Sequence, residues 1–82
     1  KVLKYIQWLV HNKGILVSPY AKHLYGKSWE LRIKWGNAQH RIIYFIDSHK
    51  NIVLLSAFLK KSQKTPRNEI EKAHNYYLDY IS

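Results

Sequence analysis

The sequence predicts an α+β fold with N-terminal helices, a three- to four-stranded antiparallel sheet and a C-terminal helix. Hydrophobic residues recur at helical spacing near both ends of the chain and alternate with charged residues in its middle. Short polar turns separate the alternating segments. The 82 residues, of which 46% are hydrophobic, suffice for one core. We therefore expect residues 1–82 to form a single domain.

The first helix is predicted by a stripe of apolar residues at helical spacing. The stripe consists of Val2, Ile6, Leu9 and Val10. A polar segment and Gly14 follow it, which is a typical way for a helix to end. We expect a helix over residues 1–13.

A second, shorter helix is predicted just downstream. Ser18 resembles an N-cap, and Pro19 follows it at the first helical position. Tyr20 and Leu24 are spaced by one helical turn, and Gly26 follows them. The pattern indicates a short helical segment before Gly26.

The central part of the chain predicts three consecutive strands. Residues 29–35 alternate between apolar and charged side chains, as a half-buried strand does. Residues 40–46 are apolar on both faces after Arg41, which is typical of a central strand. Residues 52–59 form the third run, and the short links predict an antiparallel meander.

A basic segment, residues 60–64, leads from the third strand to the last helix. Thr65 and Pro66 give a helix start. The apolar stripe of this helix consists of Ile70, Ala73, Tyr77 and Tyr80. We expect the stripe to pack on the sheet or on a partner.

Positive charge dominates the composition. The chain has 14 Lys and Arg against 5 Asp and Glu, a formal net charge of +9, and five histidines besides. Such a surface attracts polyanions, among them nucleic acids. Solubility and docking of an acidic protein remain open as alternative roles for this charge.

Several of these cations are expected to converge at one end of the sheet. Arg32 and Lys34 share the charged face of the first predicted strand, and Arg41 opens the next strand. In a meander the end of the third strand lies beside the start of the second, so the basic segment comes near Arg41. That segment contributes Lys60, Lys61 and Lys64. Converging guanidinium and ammonium groups suit phosphate binding, whereas a solvated strand face guarded by lysines is the alternative.

Other chemistries find little support in the sequence. There is no cysteine, the histidines lack the spacing of zinc ligands, and neither a glycine-rich phosphate loop nor a nucleophile elbow occurs. We expect no metal and no cofactor. His40, beside Arg41, is a candidate for proton transfer near neutral pH. The sequence has neither an apolar run of about 18 residues nor a signal-peptide pattern, which predicts a soluble protein that does not bind membranes. The absence of cysteine suits the reducing cytoplasm, where we expect the protein to be located.

Four segments of the chain resemble one toxin family. They are residues 24–32 (LYGKSWELR), 41–45 (RIIYF), 58–66 (FLKKSQKTP) and 69–73 (EIEKA). Their order and spacing resemble the HigB branch of the RelE/ParE toxins, which is also described as phage-derived toxin-like. Members carry an extra N-terminal strand, and Lys1 already lies in a helical pattern. We therefore expect upstream residues to be missing from this sequence.

The resemblance implies the toxin of a type II toxin–antitoxin system, a ribosome-dependent mRNA endonuclease that needs no metal. The family's catalytic positions map onto Arg32, Lys34, Arg41, Lys60 and Lys61. RNA-binding positions map onto His40, Lys64 and Arg67. Our hypothesis is that Arg41, with Lys60 or Lys61, holds the scissile phosphate. Arg32 and Lys34 would contact flanking phosphate or transfer protons, which for a lysine requires a lowered pKa.

The partners implied by the resemblance are a helix-turn-helix antitoxin of the HigA kind, mRNA and the ribosome. Operator DNA would be bound only through the antitoxin, and toxin and antitoxin could form a heterotetramer. Two alternatives remain open. One is a ParE-like toxin that inhibits DNA gyrase on the same scaffold, and the other is a catalytically silent module that binds nucleic acid or the antitoxin.

Overall fold

The computed structural model describes residues 2–16, 19–60 and 65–82. These residues form, in chain order, α1 (Val2–His11), β1 (Ala21–Tyr25), β2 (Ser28–Trp35), β3 (Ala38–Ile46), β4 (Ile52–Leu59) and α2 (Arg67–Ile81). The strands make one antiparallel sheet in the order β1-β2-β3-β4. The predicted α+β fold is thereby confirmed. Neither described helix combines the length and the apolar character that a transmembrane helix requires.

The segment predicted as a second short helix is instead the edge strand β1. Ala21 pairs with Leu31 of β2, and Gly26, at φ +54°, lies in the tight turn that joins the two strands. The prediction was wrong because residues four apart share a face in a strand as well as in a helix, so the spacing of Tyr20 and Leu24 could not distinguish the two. Ser18, the predicted N-cap, lies outside the described residues.

The two helices pack on opposite faces of the sheet. The α1 face is centred on Leu9, Leu31, Ile33, Ile42 and Tyr44. The α2 face is centred on Ile43, Phe45, Leu55 and Ala73. Side chains of β3 alternate between the α1 face and the α2 face, so this strand is buried on both sides, as the sequence predicted for a central strand.

The predicted stripe of α2 also packs on the sheet. Ala73 is buried, and the rings of Tyr77 and Tyr80 contact Phe45 edge to face, with centroid distances of 4.7 and 5.5 Å. These contacts hold α2 over the face from which the charged residues of β2 project.

Gly14 is required where the chain leaves α1. Its φ is +81°, its N–H bonds to the carbonyl of Leu9, and its own carbonyl accepts a hydrogen bond from the buried Tyr44 hydroxyl. A Cβ at this position would lie 2.5 Å from Cδ1 of Ile46.

We expect Gly14→Ala to destabilise the protein by about 1–3 kcal/mol, because it adds left-handed strain and a clash in the core. Urea unfolding followed by circular dichroism measures the change. Gly36→Ala is the control, since Gly36 also has a positive φ but an added Cβ meets none of the described atoms within 4 Å. Equal losses for the two variants would show that the backbone conformation alone, rather than the contact with Ile46, makes glycine necessary.

Candidate nucleic-acid interface

The strand register brings two arginines together on the α2 face of the sheet. Arg32 of β2 lies directly opposite Arg41 of β3, and Arg41 lies opposite Phe58 near the end of β4. Side chains that face each other across a ladder project on the same side, and like charges in that position repel. The pair therefore requires a counter-charge.

Glu30 supplies that counter-charge from beneath. It precedes Arg32 by two residues, so it projects on the same face, and it is only 1% exposed. Its Oε1 lies 3.4 Å from Nε of Arg32 and 3.6 Å from Nε of Arg41. Its Oε2 accepts a hydrogen bond from the hydroxyl of Thr65, the residue that precedes Pro66 and α2. One buried carboxylate thus joins both arginines to the chain segment that leads into α2.

Arg41 is held firmly in place by its neighbours. It is 7% exposed; its Nη1 donates to the carbonyl of His40 at 3.0 Å, and its Nη2 donates to Oε1 of Gln39 at 2.9 Å. Burial lowers the pKa of Arg41, the charge of Glu30 counteracts this, and Arg32 lowers the pKa further. An arginine remains protonated in proteins all the same. Arg41 therefore contributes a permanent positive charge just below the surface.

Lys60 extends the cluster beyond the end of β4. Its N–H bonds to the carbonyl of Gln39 at 2.8 Å, which continues the pairing of β4 with β3 by one residue. Burial lowers the pKa of Lys60, and the charge of Arg41 lowers it next; Glu30 opposes the shift, and Arg32 and Lys22 add to it. Lys60 therefore releases its proton more readily than an isolated lysine does.

The described residues of this cluster carry more positive than negative charge. Lys22 lies opposite Glu30 in the ladder of β1 and β2, so four cations surround a single carboxylate. We call this set the cationic cluster; it consists of Lys22, Glu30, Arg32, Arg41 and Lys60. With Arg32 part-exposed and Lys60 half-buried, the cluster can accept a phosphate from solvent.

Three of the predicted catalytic residues, Arg32, Arg41 and Lys60, thus lie together, as expected from the meander. Lys34 starts from the same strand face but borders a cavity beside α1. Lys61 lies outside the described residues. The roles of all five remain predictions.

Among the described residues, the side chains of the predicted RNA-binding residues form no hydrogen bond or ion pair with the cluster. His40 lies opposite Ile33 on the α1 face, and its ring is 6.4 Å from that of Trp35. Arg67 is an exposed residue at the start of α2 and forms an ion pair of 3.3 Å with Glu71. Lys64 is outside the described residues.

Sequence reasoning missed Glu30, Lys22 and Thr65. Alternation shows Glu30 only as one of the charged residues of β2, although a lone acid two residues from an arginine is a signal for an ion pair on one strand face. Lys22 was missed because its strand was predicted as a helix. Only the tertiary structure brings Thr65 to the carboxylate, since 35 residues separate the two in the chain.

The fold and the cluster together define a small α+β protein with a cationic site where β4 leaves the sheet. Residues 1–78 match the family described as Phage derived protein Gp49-like (DUF891). The chain therefore belongs to this family, which is of the RelE/HigB-like toxin type. A comparison with curated proteins found no match.

Proposed function

We propose that this chain is the toxin of a type II toxin–antitoxin pair and that it cleaves mRNA on the ribosome. The observation that carries the proposal is the convergence of Arg32, Arg41 and Lys60 around the buried Glu30. A cationic surface that only repels other proteins or keeps the chain in solution does not need a buried carboxylate to hold its arginines and lysines in position. Membership of the Gp49-like family supports the toxin assignment.

The proposed reaction uses the RNA's own 2′-hydroxyl as nucleophile. Its oxygen attacks the adjacent phosphorus, the bond from phosphorus to the 5′-oxygen breaks, and a cyclic phosphate remains. The 2′-hydroxyl loses one proton, and the leaving oxygen gains one. The protein must move these protons and stabilise the charge on the crowded phosphate.

The geometry suggests a division of these tasks. Arg32, whose side chain is 28% exposed, reaches solvent and can bind the phosphate oxygens. Arg41 lies beneath and adds charge without itself being free to move. Lys60 is suited to proton transfer because its pKa is lowered. This revises the hypothesis that Arg32 transfers protons, since a guanidinium does not lose its proton in proteins.

The proposal is tested by inducing the chain in cells and mapping the 5′ ends of messages. We expect cuts inside translated codons with the wild type and about 10²- to 10³-fold fewer with Arg32→Gln. This variant loses one positive charge that would stabilise the negative charge developing on the phosphate. Lys72→Gln is the control, because it also removes one positive charge, from an exposed position on α2.

Other results would contradict the proposal. Growth arrest with intact messages and damaged DNA would assign the chain to gyrase inhibition. No arrest would indicate a silent binding module. A loss of cutting with Lys72→Gln equal to that with Arg32→Gln would show that overall charge, and not the cluster, is responsible.

A further inference from the structure

A second feature of the surface lies beside α1, where it is separate from the cationic cluster. It is a cavity of about 380 Å³ lined by Lys4, Tyr5, Trp8, Tyr20 and Lys34. Three of these residues are aromatic and two are cationic; none of the described residues that line it is acidic.

The aromatic rings form an angled, solvent-accessible wall. Trp8 and Tyr20 contact edge to face with centroids 4.8 Å apart, and Tyr5 meets Trp8 in the same manner at 6.4 Å. Trp8 is 39% and Tyr20 is 40% exposed. A ring in an edge-to-face pair keeps part of a face available, and nucleic-acid bases stack on such faces.

The two lysines flank this wall. Lys4 precedes Trp8 by four residues on α1, so the two side chains neighbour each other on one helix face. Lys34 approaches from β2. A planar aromatic group that carries a negative charge matches this lining, and a nucleotide combines both properties.

The cavity lies on the α1 side of the sheet and the cationic cluster on the α2 side, and Lys34 of β2 lies between them at the edge of the sheet. The backbone N–H of Arg32 donates to the backbone carbonyl of Tyr20 at 2.8 Å, so the backbone of a residue that lines the cavity lies beside the backbone of Arg32. Lys34 follows Arg32 by two residues, a rise of about 7 Å along the strand. β1 begins opposite Leu31, so the last residues of β2 extend past it. A single strand of RNA bound at Arg32 can therefore pass Lys34 around this edge of the sheet and enter the cavity.

We propose that the cavity is a base-stacking subsite for single-stranded RNA, in which a base stacks on Trp8 or Tyr20 while Lys4 and Lys34 bind the adjoining phosphate. The inference rests on the proposed function, since it extends the same RNA path. It assigns α1 a direct part in substrate binding.

The test is a binding measurement that needs neither ribosomes nor cleavage. The probe is a short, fluorescein-labelled 2′-O-methyl oligoadenylate, which cannot be cleaved through its 2′-oxygen, and its affinity is measured by anisotropy at fixed salt. We expect Trp8→Leu to weaken binding by about 5- to 150-fold, the range for losing one stacked base. Leucine keeps the helix propensity and the apolar character of the position.

The matched control is Trp29→Leu. Trp29 is 37% exposed, close to the exposure of Trp8, but it lies at the other end of β2 beside His23. We expect it to leave affinity unchanged. With an abasic probe of the same length, the wild type should bind as weakly as Trp8→Leu binds the adenylate, and Trp8→Leu should cause no further loss.

Circular dichroism detects a variant that fails to fold. Lys4→Gln provides a second test of the subsite, which does not depend on the folding of Trp8→Leu. It should weaken binding and make the dependence of affinity on salt less steep, because about one counterion fewer is released when the RNA binds. Unchanged affinity in both Trp8→Leu and Lys4→Gln would overturn the subsite. Unchanged RNA affinity with lost binding of a co-expressed antitoxin would also overturn it and assign the cavity to a protein partner.

The experiment separates this inference from the proposed function. Affinity that depends on Trp8 in a chain that cuts no messages would leave the subsite standing without the nuclease. Cleavage that depends on Arg32, with affinity independent of Trp8, would leave the nuclease without the subsite.

Discussion

Replacing Lys60 by alanine is expected to lower the rate of the proposed ribosome-dependent cleavage by about 10²- to 10⁴-fold, the usual contribution of a positioned acid or base. Lys60 lies within the field of Arg41, and burial together with that field lowers its pKa. The single-turnover rate on programmed ribosomes measures the effect. Lys72→Ala, from the exposed face of α2, is the control for loss of a lysine outside the cluster.

A pH profile distinguishes proton transfer by Lys60 from a purely electrostatic role. A lysine that acts as the base must first lose its proton, so the wild-type rate should rise with pH and level off once the pH exceeds the lowered pKa of Lys60. Lys60→Arg keeps the charge but cannot lose a proton. We expect this variant to be slow and to lack the rise. Full activity in Lys60→Arg would refute proton transfer and leave a charge-stabilising role.

The sequence was sufficient to predict β2, β3 and β4 and much of the cationic cluster. Alternation along β2 places Arg32 and Lys34 on one face, and short turns force neighbouring strands to be antiparallel. Once that topology is given, the end of β4 must come beside the start of β3. The proximity of Lys60 and Arg41 therefore follows from connectivity alone.

The environment of the cluster could not be predicted in the same way. Alternation tells which residues share a face, but it does not tell what covers that face. Glu30 and Arg41 are buried on the side of the sheet where Thr65, which precedes Pro66 and α2, bonds to the Glu30 carboxylate. The pairing of Lys22 with Glu30 likewise depends on β1, whose short pattern fits helix and strand equally well.

The structure also changes the functional interpretation of Lys34, which the sequence assigned to the same site as Arg32. Its strand face suggests a place in the cluster, yet it borders the aromatic cavity beside α1. β1 begins opposite Leu31, so the last residues of β2 extend past it. A long lysine side chain at such an edge can reach around to either face of the sheet.

Glu30→Ala should cause the largest loss of stability of any single change in the cluster. It removes the carboxylate from between Arg32 and the buried Arg41, and it leaves the Thr65 hydroxyl without this partner. Breaking a buried pair costs about 3–5 kcal/mol, against a total stability of about 5–15 kcal/mol for ordinary domains. Urea unfolding measures the loss. The control is Glu71→Ala, because Glu71 pairs with Arg67 on the exposed side of α2, where removing a surface pair costs at most about 1 kcal/mol.

A double variant shows whether Glu30 stabilises the fold or mainly organises the cations. Replacing both partners of a buried pair by apolar residues is often neutral or stabilising. We therefore expect Glu30→Met with Arg41→Leu to regain much of the stability that Glu30→Ala loses, while cleavage is lost because the charge of Arg41 is removed. In that case the carboxylate is present to position charge for RNA, because an apolar pair would serve the fold equally well. If the double variant is as unstable as Glu30→Ala, and Glu71→Ala costs little, the ion pair is itself a requirement of the fold.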